Sequence, residues 1–312
     1  MTSAGPVDLS VNIGALRLRN PIIAASGTFG YGLEFAHLID LNTIGGFVTK
    51  GLSLNPIQGS PAPRLCQTPS GMLNAVGLQN VGVRAFVAEK LPVLRKYDTP
   101  VLVNIFGYSP EEYAEVISIL EDASGIAGYE LNISCPNVKQ GGIQFGSDPD
   151  MVFQVVGVAR GAAANRPLLV KLSPLVTDIR LIVRAAQDAG ADGLTVANTY
   201  PAMSVDVKTH KSRLGCPTGG LSGPAIRPIT LRLVWEASKV ARVPIIGLGG
   251  IETVEDVLEY LSVGATAVQV GTASFVAPST VGGLVVELER EIVRYKLQNI
   301  KALTEVLVPK LD

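Results

Sequence analysis

Histidine and cysteine are scarce, with two of one and three of the other in 312 residues. His37 and His210 lie far apart and lack ligand spacing, which argues against a histidine-built metal site. Cys66, Cys135 and Cys216 are odd in number and form no CxxC pair. A disulfide framework or a cysteine-held metal or iron–sulfur centre is therefore not expected, and a reducing cytoplasm is. Charge excess is also absent: 26 Lys and Arg against 27 Asp and Glu leave a net charge of −1. Such a chain has no bulk attraction for nucleic acid or anionic lipid. The start, MTSAGPVDLS, lacks the basic residues and apolar run of a signal peptide. One stretch, Tyr260 to Val286, carries no charge, but Gly264, Gly271, Pro278, Gly282 and Gly283 break it. A membrane span needs a more continuous apolar helix of ~20 residues. Strand, turn and helix start is the better reading, and a soluble cytoplasmic protein is expected.

What is plentiful is apolar and turn-forming: 47% hydrophobic residues, 33 Gly and 20 Pro. Short apolar runs recur at 21–25, 46–49, 101–105, 129–133, 168–172, 193–197, 244–248 and 267–270. Nearly apolar throughout, they suit strands buried on both faces of a parallel sheet. Helical spacing fills the gaps, for example at 110–122, 178–189, 254–261 and 281–295. Eight such βα repeats predict an α/β TIM barrel, one domain over 1–312, with a short N-terminal β-hairpin (9–13, 15–19) closing its bottom. A doubly wound sheet is the rival. GLGGIE at 247–252 begins like a GxGxxG fingerprint, but Glu252 stands at the third glycine and the motif comes late in the chain. No GxxxxGK[ST] phosphate loop is present.

Barrel chemistry gathers at the C-terminal strand ends. In order these give Ser26-Gly27, Lys50-Gly51, Asn104, Asn132 with Cys135, Lys171 with Ser173, Asn198-Thr199, Gly249-Gly250 and Gly271-Thr272. Glycines after strands seven and eight would let backbone N–H groups approach an anion, and a short helix opening at Thr272 would add its partial charge. A phosphate site is expected there. Lys171, inside the apolar LLVKLSP, would be costly without an anion or an electron-rich ring beside it; Lys50 in GGFVTKG has the same character. Asn74, in a long segment between strands, reads by itself as a loop-capping amide. Free cysteine commonly behaves as a small buried hydrophobe. Cys135 differs in following a strand end, with a lid-length, glycine-bearing loop at 136–146 behind it. Cys66 and Cys216 have no comparable setting.

Taken together, SGMLNAVGLQN, LNISCPNVKQGG, VKLSP, GGLSGPAIRP, IIGLGGI and AVQVGTA resemble the catalytic subunit of class 1B dihydroorotate dehydrogenase, from about Leu9 to Tyr295. The resemblance implies an FMN-holding TIM barrel that oxidises dihydroorotate to orotate in pyrimidine biosynthesis. It places Ser26, Lys50, Gly51, Asn104, Asn132, Lys171, Ala197, Gly223, Gly249, Gly250, Gly271 and Thr272 around FMN. Substrate would meet Lys50, Asn74, Ala75, Val76, Gly77, Leu78, Asn132, Asn198 and Thr199. Cys135 would take the C5 proton while hydride passes from C6 to flavin N5, with Lys171 stabilising the reduced ring. Electrons would pass to a second subunit carrying FAD and a [2Fe–2S] cluster and then to NAD, in a homodimer or heterotetramer. A class 1A-like, fumarate-using homodimer is the alternative. So is a flavin barrel acting on another pyrimidine, although a tRNA-reducing relative should be more basic. A non-redox barrel using Lys50 or Lys171 as a Schiff base is a separate rival. The segment 210–217 departs from the family pattern.

Overall fold

A computed structural model of the chain describes residues 7–134 and 145–307. In chain order the first strands are β1 (Val11–Ile13), β2 (Leu16–Leu18), β3 (Ile22–Ala24), β4 (Gly46–Val48), β5 (Leu65–Thr68) and β6 (Gly71–Asn74). Next come β7 (Val101–Ile105), β8 (Gly128–Asn132), β9 (Leu168–Lys171), β10 (Gly193–Val196) and β11 (Tyr200–Ala202). The last are β12 (Val205–Asp206), β13 (Lys211–Ser212), β14 (Gly219–Ser222), β15 (Ile245–Leu248) and β16 (Ala267–Val270).

Strands β3, β4, β7, β8, β9, β10, β15 and β16 pair in parallel and close into an eight-stranded barrel. The α/β barrel expected from the repeats is therefore present. So is the hairpin, whose strands β1 and β2 pair antiparallel across Gly14 and Ala15. Helices lie between the strands, among them Pro110–Glu121, Ile179–Asp188, Val254–Ser262 and Thr280–Arg294. Their starts follow ordinary capping chemistry. The Ser109 side chain accepts from Glu112 N–H, and Thr253 with Asp256 forms a reciprocal capping box. The uncharged stretch from Tyr260 resolves into helix end, β16, a four-residue helix (Ala273–Val276) and the start of the next helix. Among the described residues no helix is long and apolar enough to cross a membrane.

The strand period of two sorts each barrel strand into an outward and an inward set. In β7, Val101, Val103 and Ile105 join the large cluster shared with the helices, while Leu102 belongs to the barrel interior. The interior floor consists of Ile13, Leu16 and Leu18 of the hairpin packed with Ile23, Val48, Leu102, Leu169, Ile246 and Ala267. The hairpin thus plugs the bottom with apolar side chains. Two residues further along the same strands stand Ala25, Lys50, Asn104, Lys171, Leu248 and Gln269. The interior changes from apolar to mixed polar within one pleat, so the chemistry is displaced to the upper mouth.

Two segments absent from the sequence-based strand set build a lid-like cover over that mouth. Strands β5, β6, β14 and β11 form an antiparallel sheet in the order β11-β14-β6-β5, drawn from the segments after β4 and after β10.

Candidate active site

Beneath this cover lies a cavity of about 530 Å³. Every expected site residue among the described residues lines it, and Cys135 lies outside them. The residues arrive from many strand ends: Ser26 after β3, Lys50 and Gly51 after β4, Asn104 on β7 and Asn132 on β8. Lys171 closes β9, Ala197, Asn198 and Thr199 follow β10, and the run from Asn74 to Leu78 follows the cover hairpin. At one end sit Gly223, Gly249, Gly250, Gly271 and Thr272.

That end is shaped for close approach. Gly250 has φ +72°, and a Cβ built there would lie 2.8 Å from the Gly223 carbonyl oxygen, so the loop admits no side chain. The Glu252 that spoils the fingerprint has a structural explanation. Its N–H and that of Thr253 donate to Asp256 Oδ2 at 2.8 and 2.9 Å, fixing the loop to the helix it opens. Gly271 differs: the protein neighbours nearest to a built Cβ, Ala25 Cβ and Thr28, stand at 3.6 Å or more. The protein's own packing does not require glycine there. A cradle that a Cβ would enter, facing the cavity, fits a bound group such as a phosphate. The helix after Thr272 spans only Ala273–Val276, so its dipole adds little to what those loops provide.

Two lysines meet this cavity under different constraints. Lys171 is 5% exposed, and its Nζ donates to Ser26 Oγ at 3.1 Å. Burial holds its pKa below the ordinary lysine value, while the Glu130 carboxylate pulls it back up. Lys50 is half-buried, and burial lowers its pKa, reinforced by the charge of Arg64 and opposed by Glu34. Both ammonium groups therefore gain from an anionic or electron-rich ligand.

The amides form a connected set. Asn198 Nδ2 donates to Asn132 Oδ1 at 3.3 Å and to Ser134 Oγ, which itself donates to Asn132 Oδ1 at 2.7 Å. Asn198 Oδ1 in turn accepts from Thr199 N–H at 2.8 Å. Ser134, unremarked in the sequence, holds the two asparagines in register. Asn74 requires a correction: it ends strand β6 in the cover sheet, and its Nδ2 donates to the Gly220 carbonyl at 3.1 Å. It does not cap a loop. Cys216 also departs from expectation, because it lines the cavity from the cover. The lid-length loop at 136–146 lies outside the described residues except for its last two, Phe145 and Gly146, which are buried.

The family model for dihydroorotate dehydrogenase matches residues 8–292. The chain belongs to the dihydroorotate dehydrogenase family. It is 53% identical over 300 residues to a Pelobacter propionicus protein named dihydroorotate dehydrogenase B (NAD(+)), catalytic subunit, covering 96% of this chain and 98% of that one. A Citrifermentans bemidjiense protein of the same name is 50% identical with the same coverage. A Solibacter usitatus relative, provisionally named dihydroorotate dehydrogenase A (fumarate), is 54% identical over 270 residues, 86% of this chain and 88% of that one. Dihydroorotate dehydrogenases are flavin-dependent in general. The cavity fits a flavin in three respects: an open glycine cradle, a buried lysine in its lining, and a set of amides that share that lining.

Proposed function

We propose that this chain oxidises dihydroorotate to orotate in pyrimidine biosynthesis, as one FMN-binding barrel domain over 1–312 in the cytoplasm. The observation that carries the reading is the convergence of Lys50, Lys171 and the Asn74, Asn132 and Asn198 amides on one cavity in a member of this family. Gly223, Gly249, Gly250, Gly271 and Thr272 would hold the FMN phosphate. Ser26, Gly51, Asn104, Asn132, Ala197 and Lys171 would surround the ring. Bound FMN supplies the acceptor for the hydride that leaves C6.

The remaining chemistry belongs to the chain. Lys50 answers the substrate carboxylate with a cation of lowered hydration. Asn74, Asn132, Asn198 and Thr199, with the backbone of Ala75, Val76, Gly77 and Leu78, meet the ring's alternating donors and acceptors. The cover sheet excludes water from them. Cys135, next in the chain after Ser134, takes the C5 proton. Its thiol has a reference pKa of ~8.5, so a thiolate-favouring site would raise the reactive fraction at neutral pH.

The relatives' names support two readings of the physiological acceptor. With two relatives called catalytic subunits, a partner subunit bearing FAD and a [2Fe–2S] cluster would carry electrons to NAD within a heterotetramer. The Solibacter name supports a second reading, a homodimer that reduces fumarate. Fumarate-dependent turnover by the chain alone would select it.

Anaerobic addition of dihydroorotate to the purified chain tests the central claim. Bleaching of the visible flavin absorbance is expected. A flavin spectrum that ignores dihydroorotate would move the substrate to another pyrimidine, and a folded chain that takes up no added FMN would sink the proposal.

A further inference from the structure

Below the cavity, and outside its lining, a carboxylate stands in the middle of the barrel: Glu130 of β8, 0% exposed. Its Oε1 accepts from Asn104 Nδ2 at 2.8 Å, and its Oε2 accepts from Thr195 Oγ at 2.8 Å and Gln269 Nε2 at 2.6 Å. Burying a carboxylate is expensive, and a glutamine or an apolar residue would fill the same space at lower cost. What an ionised carboxylate alone offers is a group that accepts and never donates. Each amide or hydroxyl around it must turn a donor inward. For Gln269 the result is an Oε1 left buried without a partner among the described residues. For Asn104, 1% exposed and itself lining the cavity, the result is useful. With Nδ2 committed to Glu130, Oδ1 is turned toward Gly51, where a built Cβ would lie 2.8 Å from it.

We propose that Glu130 is a positioning residue whose carboxylate fixes the Asn104 amide so that an acceptor oxygen, and not a donor, faces the bound FMN. The proposal rests on the reading that this cavity holds FMN. The same carboxylate provides the anion that favours the cationic form of Lys171. One buried charge therefore sets the polarity of two cavity-lining groups without touching the ligand.

The test uses the full chain labelled with 15N-asparagine, first without FMN. The Asn104 side-chain NH2 pair, identified by its loss in Asn104→Ala, should be shifted and protected from solvent exchange. In Glu130→Gln, which can donate as well as accept, that pair should move and lose protection. The FMN dissociation constant should then rise about tenfold, as for loss of a hydrogen bond to a charged group. Thr195→Val, which keeps the carboxylate, should leave the Asn104 pair in place and FMN binding within about threefold. A Glu130→Gln protein with unchanged Asn104 signals and unchanged FMN affinity would overturn the assignment. So would a wild-type Asn104 amide that exchanges as fast as an exposed asparagine. If Glu130→Gln does not fold, the wild-type amide decides alone. Because that readout needs no flavin, a chain that failed to bind FMN would remove the functional reading while leaving the Glu130–Asn104 coupling measurable.

Discussion

Lys50 is caught between two demands that pull opposite ways with pH. Burial and Arg64 lower its folded pKa from the ordinary 10.5, so the native state releases its proton before the unfolded chain does. In that window the unfolded state binds more protons, and stability from this group rises as pH rises, levelling off at the unfolded value. Lys171 contributes with the same sign. Carboxylate binding needs the ammonium and so weakens over the same window. We expect the flavin-free chain to gain stability relative to a Lys50→Met variant as pH is raised toward 10.5, while KM for dihydroorotate climbs in the wild type alone. Lys50→Met should raise KM by about 10- to 100-fold at neutral pH, the scale of a charge-assisted hydrogen bond. Denaturant titrations and steady-state kinetics at a series of pH values check both halves. Cys135 makes the complementary case: Cys135→Ala should abolish turnover with FMN still bound, measured by flavin content and dihydroorotate-driven bleaching. Loss of FMN in that variant would count against a base and for a structural thiol.

At the scale of elements, the barrel strands were legible because they are short, largely apolar runs such as VLVNI or LLVK, the pattern of a strand buried on both faces, repeated at βα spacing. The cover sheet was not. Its strand LCQT alternates between exposed and half-buried, and GMLN pairs with GGLS, about 150 residues away. Such a pairing leaves no local signature, since strand preference depends on the neighbours a segment meets. From the sequence alone Asn74 therefore reads as a loop amide, whereas in the fold it ends a cover strand and lines the cavity. The two ends of the cavity should fail separately. A Cβ at Gly220 would lie 2.2 Å from Thr199 Oγ, so Gly220→Val should push Thr199 and the cover strand aside. We expect KM to rise by about tenfold or more with FMN retained, the loss of one or two substrate hydrogen bonds. Gly250→Ala, strained at φ +72° and against the Gly223 carbonyl, should instead yield protein that has lost most of its FMN. Flavin content and KM measured on both variants decide whether the ends are independent.

For the whole molecule, the barrel interior is a stack: apolar floor, a polar layer around Glu130, then the cavity. The strand count and the mouth followed from the sequence, and so did the hairpin at the bottom. The polar layer did not, because Glu130, Thr195 and Gln269 are single polar residues inside apolar runs, and only the closed barrel shows them facing one another. This layering separates stability from chemistry. Leu18 of the hairpin is fully buried in the floor beside Ile23, Leu102 and Ile246. Leu18→Ala should cost about 2–5 kcal/mol through lost burial and the cavity it leaves. At ~2.1 cal/mol/K of unfolding entropy per residue, each kcal/mol lowers the Tm of a 312-residue chain by roughly 1.5 °C. The polar layer lies between that void and the lysines and amides above. FMN affinity and kcat at 25 °C should therefore stay within about twofold, the scale of a distant and additive site. A floor substitution that changed kcat as much as Gly220→Val changed KM would show that the hairpin sets the geometry of the mouth through the polar layer, and not merely the stability of the barrel beneath it.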